Sequence, residues 1–409
     1  MREGDITIVG AGPAGMTAAF FLAKKKIQVT LIEKRSFPRD KICGDCIGGF
    51  GLSVLKQMGS GLFERFANSD FKLIGGGVHF FGPEHQKVTV RAETMISDTM
   101  TEVALCRRID FDNFLYEEIN NNPYIEIVQN KCVTDLHENS EGIDIICSDE
   151  TYLKTKLLIL AAGSHHALVY KLNGSRQSRK HQAAGIRAYF ENIRGLSQEG
   201  YIELHYLKEL APGYLWIFPL TGNQANVGLG LRSDIVSRRK INLRQILKKY
   251  INENTYFRER FKDARQISDI RGYPLSLGGR KRSISGDNYL LVGDTANLIE
   301  PLFGEGIGHA MYSGKFAAEH VMKCINSNNY SAIYNRQYDQ AVYQKLGSTL
   351  SFSKRMHTLA SYPGIVRFII NRVRKDENLE HMFTQLINGN IAKTPGNGLR
   401  FIIKLLTGY

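Results

Sequence analysis

A chain of 409 residues, 43% hydrophobic and 23% charged, is long enough to bury a large core spread over two or three domains. Its formal net charge of +13 favours anionic partners. The basic clusters Lys24-Lys25-Lys26, Arg238-Arg239-Lys240 and Arg280-Lys281-Arg282 are not interleaved with aromatics, so no nucleic-acid partner is expected.

The six cysteines (Cys43, Cys46, Cys106, Cys132, Cys147, Cys324) show no disulfide-scaffold rhythm, and no apolar run approaches the roughly 18 residues that span a bilayer. The chain opens almost at once on a strand, so no secretory signal is expected. The expectation is a cytoplasmic protein with reduced thiols, which a membrane surface could still attract.

Asp5 to Val9 is β-branched and apolar, the pattern of a buried parallel strand. Gly10-Ala11-Gly12-Pro13-Ala14-Gly15 follows, then a helix over Met16 to Lys24 and a second strand over Gln28 to Ile32, closed by Glu33. This is a dinucleotide-binding β-α-β unit. Gly10 permits the tight turn, Gly12 lets the backbone approach a pyrophosphate, and Gly15 lets the helix pack on the strand. Pro13 and Ala14 open the helix whose N–H groups and dipole suit phosphate. Glu33 can accept hydrogen bonds from a ribose, and Lys34 follows it.

Residues 34–49 are polar, glycine-rich and irregular, and such loops inside compact domains are usually functional. Gly51 to Phe66 reads as one helix. Lys72 to Phe81 and Lys87 to Arg91 read as strands, and a helix begins within Leu105 to Leu115. Strands follow at Ile125 to Val128, Cys132 to Leu136, Gly142 to Cys147 and Lys156 to Gly163. From Gly185 to Leu231 the strands are aromatic: Ile186 to Phe190, Tyr201 to Tyr206, Tyr214 to Pro219 and Asn226 to Leu231. They suit an antiparallel sheet forming one wall of a pocket. A basic helix covers Asn242 to Glu253. Tyr289 to Asp294 returns as a strand, Gly306 to Ile325 as a helix, and Tyr330 to Tyr409 as further helices.

The second informative stretch runs from Val292 to Met311. A strand ends at Gly293-Asp294, and the turn Gly304-Glu305-Gly306-Ile307 opens a helix whose N–H groups face the same place. Tyr214, Trp216 and Phe218 alternate on one strand and so share a face; Trp216 is the only tryptophan. Cys43-Gly44-Asp45-Cys46 has the C-x-x-C spacing, but no second ligand pair accompanies it and it does not open a helix after a strand, so no metal site is expected. Cys46 reads as a small packing residue. His165-His166 and His309 read as turn and helix residues. No G-x-S-x-G elbow appears.

Together these stretches resemble flavoproteins of the p-hydroxybenzoate-hydroxylase fold, and within them the geranylgeranyl reductase family, over residues 1 to about 330. Lys41-Ile42-Cys43-Gly44-Asp45 resembles that family's K-x-C-G-E/D loop against the flavin. Arg108 to Leu115 resembles R-x-x-F-D-x-x-L, whose arginine approaches the FAD phosphates and ribose. Pro212 to Pro219 resembles P-G-Y-x-W-x-F-P, a strand lining the substrate cavity. Gly304-Glu305-Gly306 matches the reductases' G-E-G.

The resemblance implies an α/β fold: a Rossmann-like FAD-binding domain (1–75, 100–165, 270–330), an inserted antiparallel-sheet substrate domain (76–99, 166–269) and a C-terminal helical region (331–409). It implies FAD held by Gly10, Gly12, Pro13, Ala14, Gly15, Glu33, Lys34, Lys41, Cys43, Gly44, Arg108, Cys132, Val133, Gly163, Asp294, Gly304, Glu305, Gly306 and Ile307. Asp294 would hold the ribityl chain, and the helix after the turn would stabilise negative charge on the reduced ring. Catalytic roles fall to Cys43, Trp216 and Tyr214, and substrate contacts to Tyr214, Trp216 and Phe218.

The expected activity is reduction of prenyl double bonds by hydride from reduced FAD, with Cys43 or an ordered water as proton donor. The rivals are a flavin monooxygenase or halogenase acting on an aromatic or lipophilic substrate, and a non-catalytic flavin-binding lipid carrier. The superfamily's A-D-G segment stands here as Ala161-Ala162-Gly163, so the acid that can contact a nicotinamide cofactor is missing. The external donor is therefore open between NAD(P)H, ferredoxin and reduced flavin, and a redox partner is a candidate. Pro363 to Arg374 and Leu399 to Leu406 are apolar, basic and free of acids. They read either as inward-packed helices or as membrane-docking ones.

Overall fold

The computed structural model describes residues 2–92, 103–164, 167–174 and 178–387, with Ile403, Lys404 and Thr407. The pair His165-His166 and most of Leu399 to Leu406 lie outside the described residues.

The first strand, Arg2–Val9, sits in the middle of the parallel part of an eight-stranded sheet, between Tyr152–Leu160 and Val29–Ile32, with Val133–Asn139, Gly142–Cys147 and Ser285–Gly286 added antiparallel. Tyr289–Leu291 and Ile125–Val128 extend the sheet on either side, also parallel. The apolar runs read in sequence are buried on both faces here, as parallel sheets require: Ile6, Ile8, Leu157, Leu158, Ile159 and Leu290 have no exposure. Helices Pro13–Ala23 and Ile307–Ser327 pack against each other, with Gly314 so close to Ala14 that a Cβ would lie 2.2 Å from the Ala14 carbonyl oxygen.

A second sheet carries the aromatic strands Gln182–Glu191, Tyr201–His205, Tyr214–Leu220 and Gln224–Arg232. It is mixed rather than antiparallel, because Tyr201–His205 pairs in parallel with Gly77–Phe81, a strand from a distant part of the chain. Arg271–Ser276, grouped by sequence with the FAD-binding segments, pairs instead with Gln182 to Arg187 in this sheet.

The single strand expected over Lys72 to Phe81 is two, Leu73–Gly75 and Gly77–Phe81. The chain turns at Gly77 (φ +142), where a Cβ would lie 2.1 Å from the Val90 carbonyl oxygen, and passes from a small three-stranded sheet into the aromatic one. The helix expected over Gly51 to Phe66 is also two, Gly49–Met58 and Ser60–Ala67, divided at Gly59, a weak helix former.

Helices Ala332–Leu359, Pro363–Val373 and Glu377–Ile387 follow. Ile370, Val373 and Leu379 are buried in one cluster with Phe80, Trp216 and Phe218. The last two helices therefore join the aromatic cluster of the second sheet, whereas Ala332–Leu359 buries Tyr338, Val342, Leu346 and Leu350 in the core of the first; Tyr362 and Phe368 point outward.

Candidate functional site

At one end of the site the glycines act through sterics. Gly10 has φ +103, and a Cβ there would lie 2.3 Å from the Ala161 carbonyl oxygen; one at Gly15 would lie 2.0 Å from the Gly10 carbonyl oxygen. Gly12 differs, because a Cβ there would meet nothing within 4 Å. Its bare backbone faces open space at the N-terminus of Pro13–Ala23, which no side chain caps. Free N–H groups, a dipole end and room beside them are what a pyrophosphate requires.

Glu33 is 5% exposed, and its carboxylate accepts the Ala11 N–H at 2.9 Å and the Arg35 N–H at 3.2 Å. It is thereby aimed across the glycine turn. Lys34 is exposed beside it. The Lys131 N–H donates to the Glu33 carbonyl at 3.0 Å, which brings exposed Cys132 and half-buried Val133 to the same end.

Sequence reasoning missed Arg39. Its guanidinium donates to the Ala11 carbonyl at 2.7 Å and to Asp112 at 2.8 Å, and lies 3.4 Å from Glu33. Asp112, fully buried, also holds Arg108 through two bonds of 2.7 and 2.9 Å. One carboxylate thus positions two arginines behind the phosphate-binding turn. The D of R-x-x-F-D was a usable signal for Asp112; nothing in the irregular loop marked Arg39.

At the other end, Lys41 lies 3.3 Å from Asp294 and over the ring of Tyr273. Ser164 donates to the same Asp294 oxygen at 3.3 Å, and Thr295 donates to the Gly163 carbonyl at 3.0 Å. Glu300, 3% exposed, accepts the N–H groups of Leu302 and Phe303 at 3.0 and 2.6 Å and so shapes the turn before Gly304. Gly306 caps Ile307–Ser327 without a side-chain bond, leaving a second open helix N-terminus.

The loop between these ends is held by Asp45, which has no exposure and φ +64. It accepts the Arg108 N–H at 3.2 Å, the Tyr189 hydroxyl at 2.7 Å and the Asn226 amide at 2.8 Å. Burial, only partly offset by these bonds, pushes its carboxyl up to about 6. The Asn226 amide also donates to the Cys43 carbonyl at 2.7 Å, and its oxygen accepts the Trp216 indole N–H at 2.8 Å. One asparagine therefore ties the loop to the aromatic strand, with both amide protons donated and its oxygen accepting the indole N–H. The Tyr189 ring is flanked by Arg107 at 4.4 Å and Arg187 at 4.1 Å. None of Asp45, Tyr189, Arg187 or Asn226 was singled out as a site residue from sequence.

Tyr214, Trp216 and Phe218 share one face as their alternation predicts, while Leu215 and Ile217 fill the cluster on the other. The indole packs over three glycines. A Cβ at Gly228 would lie 2.3 Å from it, one at Gly230 3.7 Å and one at Gly185 3.9 Å. Phe218 packs on Gly44, where a Cβ would lie 3.1 Å from its ring. The Tyr214 hydroxyl donates to the Phe303 carbonyl, beside Gly304.

Cys43 and Cys46 are half-buried free thiols; burial and then Glu305 push Cys46 up, consistent with a packing role. His309 is buried on its helix. Among the described residues no group of three or more His, Cys, Asp or Glu could hold a metal, and no helix is long and apolar enough to cross a membrane.

Two open helix N-termini, an acid at the end of the second strand and a loop clamped between two sheets define a dinucleotide-binding protein. The family model described as "FAD binding domain" matches residues 3–321, and the chain belongs to that family. It is an FAD-dependent oxidoreductase. Menaquinone reductase of Mycobacterium tuberculosis is 26% identical over 377 residues, 88% of this chain and 84% of the relative. Digeranylgeranylglycerophospholipid reductase of Methanocaldococcus jannaschii is 29% identical over 366 residues, 87% of each. Among solved structures, a geranylgeranyl bacteriochlorophyll reductase-like protein from Thermoplasma acidophilum superposes with a TM-score of 0.81 at 20% identity, over 99% of this chain and 100% of that one. A flavin-dependent brominase shares the fold as well, with a TM-score of 0.76 at 20% identity and 98% of each chain covered.

Proposed function

We propose that this oxidoreductase saturates carbon–carbon double bonds in a prenyl lipid, taking hydride from reduced FAD. The observation that carries the reading is the apolar, aromatic face of the second sheet. Trp216 and Phe218, with Tyr214 packed beside them, share one apolar cluster with Ile370, Val373 and Leu379 of the C-terminal helices, and Phe218 packs on Gly44 of the Cys43-Gly44 loop. An isolated double bond has no polar handle, so its reduction depends on holding an apolar chain over the ring and excluding water. Two relatives are named as reductases, one of menaquinone and one of a digeranylgeranyl lipid, which supports the reading.

Such a substrate resides in a membrane, and peripheral docking belongs to the same proposal. Exposed Tyr362 and Phe368 stand beside Arg367 and Arg374, an arrangement suited to an anionic lipid surface. The donor that reduces FAD is a nicotinamide, ferredoxin or free reduced flavin.

The test is anaerobic photoreduction of the purified protein, followed by addition of prenyl lipids. Flavin reoxidation with a product heavier by two hydrogens per double bond is expected. Reoxidation only by oxygen, with an oxygenated or halogenated product, would establish the monooxygenase or halogenase instead. Tight lipid binding without either reaction would establish a carrier.

A further inference from the structure

Glu305, expected from sequence only to help hold FAD, has no part in the chemistry of that reading. Its backbone is fixed: the carbonyl accepts the Glu300 N–H at 2.8 Å and lies 3.2 Å from His309 Nδ1. Its side chain fills the space left by two glycines. Oε1 would lie 2.7 Å from a Cβ at Gly48 and 2.8 Å from one at Gly308. These glycines stand at the N-terminal ends of Gly49–Met58 and Ile307–Ser327, the two segments that border the ring end of the site.

Glu305 Oε1 is buried and has no hydrogen-bond partner among the described residues. Leaving a carboxylate oxygen dry and unpaired is costly, and a neutral carboxyl relieves much of that cost. Burial alone pushes Glu305 up to about 7, with no charged neighbour contributing. The titratable groups nearest it are Cys46 from the loop, His309 from the helix, pushed down by burial, and Glu300 from the turn, pushed up by burial. No charged side chain offsets the burial of Glu305.

Saturating a double bond takes a hydride and a proton, and the FAD bound by this family supplies the hydride when reduced. We propose that Glu305 carries the proton: it is protonated in step with reduction of the cofactor and surrenders that proton when the double bond is saturated. This deepens the reductase reading and rests on it. At mildly alkaline pH the site then takes up two electrons and two protons, one proton on the ring and one on the Glu305 carboxylate. On reoxidation the hydride forms a bond to one carbon and the Glu305 proton to the other. The π bond is lost, and Glu305 returns to the carboxylate. With FAD held at the Gly304-Glu305-Gly306 turn, the negative charge of the reduced ring would raise the proton affinity of the buried Glu305 carboxyl.

The experiment measures protons rather than turnover. FAD-loaded wild type and Glu305→Gln are photoreduced anaerobically in weak buffer with a pH indicator, at about pH 8 and about pH 6, either side of the carboxyl's midpoint. FAD content per chain shows whether the variant is intact. Expected is one more proton taken up per FAD by wild type than by the variant at the higher pH, with the difference vanishing at the lower. Equal uptake by both proteins at the higher pH overturns the proposal.

A second measurement needs no variant. The reduced-minus-oxidised infrared spectrum of wild type at the higher pH should gain a protonated-carboxyl band that shifts in deuterium oxide, and its absence overturns the proposal too. Neither readout involves a lipid, so failure of the lipid to reoxidise the flavin is a separate result that counts against the reductase reading alone.

Discussion

The two ends of the cofactor site are built in contrasting ways. At the adenosine end most of the shape comes from one stretch of sequence, namely the Gly10–Gly15 turn, Glu33 twenty-two positions from its partner Ala11, and Arg39 twenty-eight positions from the same residue, with Asp112 and Ala161 packed behind it. At the ring end the decisive contacts join residues far apart. Lys41 and Asp294 are separated by 253 positions, Asp45 and Tyr189 by 144, and Asn226 and Cys43 by 183. A site made by one supersecondary unit imprints its steric demands as residue spacing. A site made where two sheets meet leaves single residues whose meaning exists only in the fold.

The sharpest way to test the local end is Gly15→Ala. The added Cβ would sit 2.0 Å from the Gly10 carbonyl oxygen, against backbone that cannot move without shifting the first strand. Loss of FAD from the purified variant, or loss of soluble protein, is expected. Retention of a normal FAD content, read from the visible spectrum of the purified protein, would show that the turn is not held as described.

That contrast explains what could be read in advance. The β-α-β unit, the Gly293-Asp294 turn and the alternation of Tyr214, Trp216 and Phe218 were legible because each is a short-range pattern with a steric or periodic cause. Asp45 was visible only as the last letter of a loop motif. Its three hydrogen-bond partners come from helix Arg108–Asn120 and from two strands of the other sheet, and no local pattern links them. The glycine floor beneath Trp216 was hidden for the same reason, since Gly228 and Gly230 lie on one neighbouring strand and Gly185 on another. The C-terminal helices showed an apolar and basic composition from which the direction of the apolar side could not be read.

Asp45→Asn tests the non-local end through pH. The folded carboxyl is raised from 3.8 to about 6, so the native state binds the proton more tightly than the unfolded chain. Its contribution to stability is therefore greatest below the unfolded value and declines as pH rises through the window between the two. At about 1.4 kcal/mol per pH unit, the decline across that window is about 3 kcal/mol. Urea unfolding near the two ends of the window should show wild type losing about that much more than Asp45→Asn. Identical pH dependence in the two proteins would mean that Asp45 does not titrate in the buried junction.

A smaller effect is expected back at the adenosine end. Glu33→Ala removes the acceptor of the Ala11 and Arg35 N–H groups and leaves Arg39 with Asp112 as its carboxylate partner. Losing a charged hydrogen-bond acceptor for the ribose should weaken FAD by about 1–3 kcal/mol, with the turn intact. Titration of apoprotein by flavin fluorescence checks it; unchanged affinity would place the ribose elsewhere.

The smallest effect on stability separates the two faces of one helix. On Pro363–Val373, Ile370 and Val373 are 4% and 1% exposed beneath the aromatic sheet, whereas Phe368 is 42% exposed. Arg367 is paired with Glu84 at 2.6 Å on the surface, a contact that salt screens, and Arg374 and Lys375 are exposed. If the outer face docks to a membrane, Phe368 enters the headgroup boundary while each nearby cation adds about 1 kcal/mol on anionic lipid. Phe368→Ser should then leave unfolding within about 0.5 kcal/mol of wild type, because the side chain supports no core contact that burial could reward. It should nonetheless reduce co-sedimentation with anionic vesicles at low salt, and neutral vesicles or high salt should reduce the binding of both proteins. Negligible binding of both to anionic vesicles at low salt would remove the docking role. It would leave this helix with the task of burying Ile370 and Val373 in the apolar cluster that also holds Trp216 and Phe218.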